Sequence, residues 1–579
     1  MRGLEACEEL AHWVPGAPAL AAAARLLHPH HIEMAVRDRS PEMEDLQGGA
    51  GRIFNSPVAT GAVQHGQRGS AALRGQSLSR RLLGDRRLLL VSNREPYVRK
   101  RTPGSPEGVR FERTTGGLVT ALEPVMRESG GVWVAWQPES DARETAIETE
   151  RRFRVPDDGP QFTLRQVPLS KNEVVRYYYG FANRALWPLC HYFVDRCRFD
   201  EDEWKQYEQI NERFAAAVVE EARAGDVVWV HDYHFCLLPQ KIRERRRHGG
   251  PIAFFLHIPF PAEEVFRVLP WRRQVLEGLL GADLVGFHTE EYAGDFLGCC
   301  ERLLDAEVDH QRQVVHWDGR EVRVGAFPIG IDVDEFRAAA ASPEVAERAA
   351  SIRKGLGGAR LILGVDRLDY SKGILERLHA IDLLLTARPE LRRRLVFLQV
   401  AVPSREQVHD YRELKRQVDE MVGRVNGKHG TANWQPVRYL YRGVPREELV
   451  AYYRAADVCL VNPLRDGMNL VAMEYVACQQ DGEGVLVLSE LTGAARTLGD
   501  GALLVNPFAI QETADTLAAA LEMEPAERRR RMQRLFARVT ACDVHGWLES
   551  ILTAALEEGQ GEPRDDAAHA RPRSMSLYH

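Results

Sequence analysis

The residues best equipped for chemistry in this 579-residue chain stand directly after short apolar runs. Gly364-Val365-Asp366-Arg367-Leu368-Asp369-Tyr370-Ser371-Lys372-Gly373 leaves one such run and opens a helical pattern. Arg367 and Lys372 are two cations five residues apart beside a helix start. A planar guanidinium fork and a point-charge ammonium in that setting suit a diphosphate; surface ion pairs with Asp366 or Asp369 are the other use of the same spacing. Further on, Asp466-Gly467-Met468-Asn469-Leu470 marks a tight turn at a second helix start, where free backbone amides favour an anion. Glu474 lies eight residues after Asp466, on nearly the same helical face. The turn and the carboxylate can then hold different parts of one extended ligand, with Glu474 bridging two vicinal ribose hydroxyls, or else Glu474 makes an ordinary helix ion pair.

The first half of the chain carries a different set. Ser92-Asn93-Arg94-Glu95-Pro96-Tyr97 follows an apolar run, and Thr114-Thr115-Gly116-Gly117-Leu118 precedes a helical pattern. Paired glycines there let backbone amides approach a phosphate, as does many a plain turn. Val230-His231-Asp232-Tyr233-His234 is an ionisable cluster at another strand end. Metal binding by His231 and His234 lacks any accompanying zinc-protease pattern, so no metal site is expected. His257, in Phe255-Leu256-His257-Ile258-Pro259-Phe260-Pro261, is flanked by apolar residues and stiff prolines. It is either a core histidine bonded to backbone or a fixed polar group aimed at a sugar or carbonyl.

These residues need a scaffold that gathers strand ends. Apolar runs at 88–91, 227–230, 252–256, 284–287 and 322–327 alternate with amphipathic stretches such as 203–224 and 271–280. A second series follows at 361–365, 396–402, 458–461, 485–488 and 503–505. Short buried runs alternating with helices read as doubly wound parallel sheets, an α/β architecture repeated twice. The boundary is placed near residue 333. Ordered structure is expected to begin at Arg87, after an Ala/Gly/Arg/Ser-rich extension over 1–86. One long helical pattern runs from Gln511 to about residue 557, with a disordered tail over 558–579. Ligands in such sheets sit beyond the carboxyl ends of the strands, so a cleft between two domains is the predicted site.

Composition narrows the function classes. Hydrophobic residues make up 44% and charged residues 27%, and the net charge is -7. A duplex-binding protein is expected to be basic, so nucleic acid is disfavoured as a partner. The odd count of 9 cysteines contains no Cys-x-x-Cys pair; this is neither a zinc signature nor a disulfide framework and points to reduced cytoplasmic thiols. No apolar stretch of about 18 residues is present, so no membrane span is expected. Gly355-Leu356-Gly357-Gly358 precedes a strand rather than following one, and residues 423–429 lack the Ser/Thr of a P-loop, so both nucleotide fingerprints are set aside.

Taken in order, the strings VSNR, GGL, NRALWPLCHY, HDYH, FFLHIPFP, GFHT, FPIGID, DRLDYSKG, PSR, PLRDGMNLVAMEY and VLVLSE closely resemble the trehalose-6-phosphate synthase family over about residues 87–550. That family comprises retaining, metal-independent glycosyltransferases of the GT-B fold. The resemblance implies that Arg94 and Arg405 grip the phosphate of a glucose-6-phosphate acceptor, with Trp136, Tyr178 and Trp187 as its aromatic wall. It implies that Asp232 contacts the acceptor's reactive end and that His257 bonds the donor glucose. Arg367 and Lys372 then clamp the diphosphate of UDP-glucose. Asp466, with the amides of Gly467, Met468, Asn469 and Leu470, cradles donor sugar and phosphate. Glu474 is the implied ribose ligand and Gly117 part of a mobile loop over the phosphates. No cofactor is implied, and a homo-oligomer is compatible. Met473 stands where relatives often carry Lys, with altered base or ribose contacts expected. Asp366 replaces a more usual Glu, the loop over 95–115 is long and basic, and no phosphatase domain is expected after residue 550. Alternatives are glucosylglycerol-phosphate synthase, using ADP-glucose and glycerol-3-phosphate, a non-catalytic sugar-phosphate sensor, and a phosphorylase-like enzyme with pyridoxal phosphate.

Overall fold

The computed structural model describes residues 78–101, 109–114, 117–138, 151–157, 159–245, 249–479 and 481–557, which fall in one compact unit of the chain. The expectations for residues 1–77, Thr115, Gly116 and 558–579 lie outside the described residues. In chain order the first strands are β1 (Leu88–Val91), β2 (Tyr97–Arg101), β3 (Val109–Arg113), β4 (Val132–Pro138), β5 (Arg152–Val155), β6 (Phe162–Leu169) and β7 (Val227–His231). They are followed by β8 (Ile252–Phe255), β9 (Leu284–Phe287), β10 (Glu307–Asp309), β11 (Val314–Trp317) and β12 (Arg320–Ala326). Ten of these form one sheet in the order β10-β11-β12-β9-β8-β7-β1-β4-β6-β5. Its centre is parallel, and β1, β7, β8 and β9 are buried along their full length, as runs covered on both faces must be. Its two edges are antiparallel, at β5–β6 and β10–β11–β12, which the apolar runs alone did not indicate.

The second sheet is wholly parallel. It holds β13 (Arg360–Arg367), β14 (Leu395–Val402), β15 (Val437–Leu440), β16 (Val458–Val461), β17 (Val485–Ser489) and β18 (Leu503–Val505) in the order β15-β14-β13-β16-β17-β18. Strand order reverses beside β1 in the first sheet and beside β13 in the second. Those are the switch points where a crevice opens beyond strand ends. Arg94 and Asp232 follow β1 and β7, whereas Arg367 ends β13 and Asp466 follows β16.

Three local readings are corrected. A helix, Leu78–Leu83, precedes β1 and buries Leu83, so ordered structure starts before Arg87. The charged stretch over 95–115 folds in part as the β2–β3 hairpin, paired from Tyr97↔Arg113 to Arg101↔Val109. The long C-terminal pattern is three helices: Ile510–Glu522, Pro525–Ala541 and Val544–Leu556. Pro525, whose fixed φ suits a first helical position, starts the second, and the Asp543 side chain caps the third by accepting from Gly546 N–H.

That third helix lies against the first sheet. Trp547 packs on Trp229 and Phe255 at ring-centroid distances of 5.2 and 5.4 Å. Val544 N–H donates to the Ile331 carbonyl at 3.1 Å. A side chain at Gly330 would collide with the Cys542 carbonyl, which accounts for glycine there. Among the described residues every cysteine is a free thiol, and no helix is long and apolar enough to cross a membrane.

Candidate active site

A cavity of about 890 Å³ opens between the strand ends of the two sheets. Its first wall begins with Arg94, whose side chain is exposed to the cavity. Opposite stands Tyr178, on a helical segment (Val175–Leu186) broken at Gly180, where a Cβ would come 2.7 Å from Glu203. Tyr178 stacks on His234 with ring centroids 5.7 Å apart and faces Trp136 at 6.4 Å. Burial pushes the Tyr178 hydroxyl up, but the guanidiniums of Arg405, Arg94 and Arg367 outweigh it and hold it below the usual phenol range. Three cations therefore surround one hydroxyl. Trp187 lies beneath two of them, with Arg405 4.0 Å and Arg367 5.7 Å from its ring. The indole N–H groups of Trp136 and Trp187 are buried without a partner among the described residues. Such donors are costly to leave unpaired.

Asp232 closes this wall. Its backbone has φ +76, a strained conformation for a non-glycine residue. The strain is held by its N–H donating to the Phe255 carbonyl at 2.8 Å and by its Oδ1 accepting from His257 N–H at 3.2 Å. Burial lifts its carboxyl to about 6, against the pull of the Tyr233 and His257 amides and of Arg367 and Arg405. His257 lines the same cavity, and its Nε2 lies 3.0 Å from His231 Nδ1. Its ring is thus anchored by another side chain, not by backbone. Above, the β2–β3 hairpin contributes Val98 to the lining. Tyr97 ties the hairpin down: its hydroxyl bonds Glu123 of the helix Gly117–Ser129 and accepts from Arg127 at 3.2 Å.

The second wall is ionic. Lys372 Nζ lies 2.7 Å from Asp466 Oδ2, a part-buried pair 94 residues apart in sequence. Asn469 Nδ2 donates to the same oxygen at 3.1 Å. Asn469 adopts φ +100 and caps the helix Leu470–Cys478, its Oδ1 accepting from Ala472 N–H. Gly467 is required because a Cβ would come 2.5 Å from the His257 carbonyl, where the two walls meet. Arg405 is buried and pairs with Asp369 at 2.9 Å, bonds the Tyr411 hydroxyl, and reaches across to Tyr233 at 3.0 Å. Burial raises the Asp369 carboxyl, but Arg405, Lys372 and Arg367 pull it to about 2. Arg367 is exposed and has no ion pair among the described residues. The ion-pair alternative for the two cations does not hold as expected: Lys372 pairs with Asp466, and Asp366 is taken by Arg377 at 2.7 Å.

The model of glycosyltransferase family 20 matches residues 86–557. This chain belongs to glycosyltransferase family 20. It is 45% identical over 472 residues to the bifunctional trehalose-6-phosphate synthase/phosphatase of Thermoproteus tenax, matching 80% of this chain and spanning 62% of that protein. A Burkholderia xenovorans alpha,alpha-trehalose-phosphate synthase (UDP-forming) solved in complex with glucose-6-phosphate superposes with a TM-score of 0.73 at 35% identity, covering 81% of this chain and all of that one. An Escherichia coli structure described as trehalose-6-phosphate bound with UDP-2-fluoro glucose gives a TM-score of 0.74 at 35% identity, over 82% of this chain and 99% of that chain. The two facing sheets are the GT-B fold.

In this family 20 chain the cavity brings together Arg94, Trp136, Tyr178, Trp187, Asp232, His257, Arg367, Lys372, Arg405, Asp466, Met468, Asn469 and Leu470. Gly467 and Glu474 do not line it. Gly117 begins the helix Gly117–Ser129, and Glu474 sits deeper, accepting from the Tyr453 hydroxyl at 2.7 Å rather than from a helix cation. Met473 is fully buried in the core and makes no part of the cavity, so the expected effect of its side chain on base or ribose is not direct. Sequence reasoning missed Arg377, which is fully buried and donates to Asp366, Asn462 and Gln399. Its one signal was an arginine within the apolar face Ile374, Leu378 and Ile381. Among the described residues, no group of His, Cys, Asp and Glu side chains is arranged to hold a metal.

Proposed function

We propose that this chain is a retaining glucosyltransferase that moves glucose from UDP-glucose to glucose-6-phosphate, giving α,α-trehalose-6-phosphate and UDP. The observation that carries this reading is the Tyr178 hydroxyl among Arg94, Arg405 and Arg367, a site for a doubly charged phosphate walled by Trp136 and Trp187. Residues 87–333 form the acceptor domain and 334–557 the donor domain. Arg94 and Arg405 hold the acceptor phosphate, Asp232 its reactive end, and His257 the donor glucose. Arg367 and Lys372 clamp the diphosphate, Asp466 and the 467–470 turn cradle it, Glu474 takes the ribose, and Gly117 opens the loop above.

Cleaving a glycosyl–phosphate bond leaves positive character on the sugar and negative charge on the diphosphate. Fixed cations and helix amides aimed at that charge lower the barrier because they are already oriented. The acceptor hydroxyl attacks from the face the diphosphate leaves and loses its proton toward it. No covalent carboxylate is needed, unlike in most retaining glycosidases. Packing donor and acceptor into one closed cavity supplies proximity and keeps water from hydrolysing the donor. With Arg367 and Lys372 supplying positive charge, the reaction runs without a bound metal or cofactor, on small-molecule substrates in the cytoplasm. The test is to incubate the protein with each nucleotide-glucose and each acceptor, then identify products by mass and anomeric NMR. A 1,1-linked α,α product from UDP-glucose and glucose-6-phosphate is expected. Product only from ADP-glucose and glycerol-3-phosphate, or none at all, would sink the reading.

A further inference from the structure

Three adjacent parallel strands each deliver a histidine at their carboxyl end. His231 is the last residue of β7, His257 stands two residues after β8, and His288 directly follows β9. Their rings touch in sequence: His231 stacks on His257 at 5.3 Å, and His257 meets His288 edge-on at 5.5 Å. All three line the cavity, and His231 and His288 are almost wholly buried. Burial holds His231 at about 3 and His288 at about 4, so the cluster is neutral at working pH.

Only one proton lies between His231 Nδ1 and His257 Nε2, at 3.0 Å. If His257 donated it, neutral His231 would carry its own proton on Nε2. That nitrogen is buried with no partner among the described residues. Trp229 packs on the His231 ring at 4.6 Å and Trp547 on Trp229 at 5.2 Å, and the only polar atoms of those rings are indole N–H donors, themselves unpartnered. A buried N–H left without an acceptor is a costlier arrangement than a buried ring nitrogen left without a donor. If His231 donates from Nδ1 instead, its Nε2 is a bare acceptor, compatible with that lining. The hydrogen bond made by one ring nitrogen then fixes the state of the other.

We propose that His231 is a positioning residue that locks His257 as the tautomer with its proton on Nδ1, so that His257 meets the transferred glucose as a hydrogen-bond donor. The sugar half of this rests on the assignment of His257 to the donor glucose. The backbone supports the lock from both sides, since His257 N–H is tied to Asp232 and its carbonyl abuts Gly467. Among the described residues His257 Nδ1 has no protein partner. Trp547, on the helix Val544–Leu556, packs on Trp229 and meets the His257 ring at 6.2 Å.

The test needs no variant to begin. In protein labelled with 15N-histidine, ring correlations in the free enzyme should show the Nδ1–H tautomer for His257; an Nε2–H tautomer overturns the proposal. Calorimetry with UDP-glucose and with UDP alone then reads the consequence. His231→Leu should weaken UDP-glucose roughly three- to tenfold, the loss of one neutral hydrogen bond, and leave UDP unchanged. His231→Asn, whose amide nitrogen replaces Nδ1 as donor, should restore most of the loss. Equal weakening in both variants, or none in either, overturns the lock. If the wild-type protein shows the tautomer but forms no glucosylated product, the sugar half fails while the lock stands.

Discussion

The carboxyl groups on the two walls of the cavity are displaced in opposite directions. On the second wall, Asp369 is held at about 2 and Asp466 lies below the usual carboxylate range, because Arg405 and Lys372 outweigh the burial that acts against them. Asp366 is the exception there, since burial outweighs Arg377. On the first wall no buried cation pairs with the acids. Asp232 rises to about 6 and Glu95 to about 7, both driven by burial, with the Glu95 carboxylate accepting from the Gln166 amide at 2.5 Å and Arg99 pulling against the shift. One wall is therefore charged and internally paired before any ligand arrives. The other carries acids raised by burial, the exposed Arg94 beside Tyr178, and buried indole donors without a partner among the described residues. Under the proposed function, the first arrangement receives the leaving diphosphate and the second the acceptor sugar.

The contrast is broken most severely at Lys372. Lys372→Ala should cost about 100-fold in turnover. It should also cost about 1–3 kcal/mol of stability, because it removes the cation from the part-buried Asp466. Arg367→Ala should show a similar kinetic loss but a stability change below about 0.5 kcal/mol, since Arg367 is exposed. Paired denaturant and turnover measurements decide this, and equal stability losses would erase the distinction. Next in size, Arg94→Ala should raise the Michaelis constant for glucose-6-phosphate about 10- to 100-fold, as expected for a lost charge-assisted bond, with that for UDP-glucose nearly unchanged. An unchanged acceptor constant would remove Arg94 from the phosphate site.

The remaining two tests use pH, and their signs differ by wall. The Asp369 carboxyl is depressed in the folded state, so it contributes stability above its ordinary value of 3.8 that is lost as pH falls through about 2. Asp369→Asn should flatten that acid limb by on the order of 2 kcal/mol in denaturant titrations. Glu95 is raised, so stability is greatest below 4.5 and falls as pH rises toward about 7. Glu95→Gln should be close to neutral at low pH and stabilising at high pH, by on the order of 3 kcal/mol. Slopes of the same sign at both positions would contradict the contrast.

Legibility in the sequence followed burial. Strands covered on both faces read as continuous apolar runs, so β7, β8, β13 and β16 stood out and carried His231, Arg367 and Asp466 to their ends. The β2–β3 hairpin was invisible because YVRKR and VRFER mix charges with single apolar residues. The three C-terminal helices merged into one because amphipathic spacing survives a two-residue break, although Pro525 was the available stop signal. Chain separation hid the pairing of Lys372 with Asp466 and of Arg405 with Asp369. In both cases local spacing pointed to nearer partners, and only the juxtaposition of β13, β14 and β16 brings the true ones into reach.

The seat of Trp547 on Trp229 and Phe255 has a consequence for biosynthesis. Strands laid down early leave the ribosome without the indole that seals their flank, and must wait while the entire second half is translated. The nascent first lobe therefore passes through a long interval with an open apolar seam, which chaperones can occupy, and maturation finishes when the tail end of the polypeptide swings home.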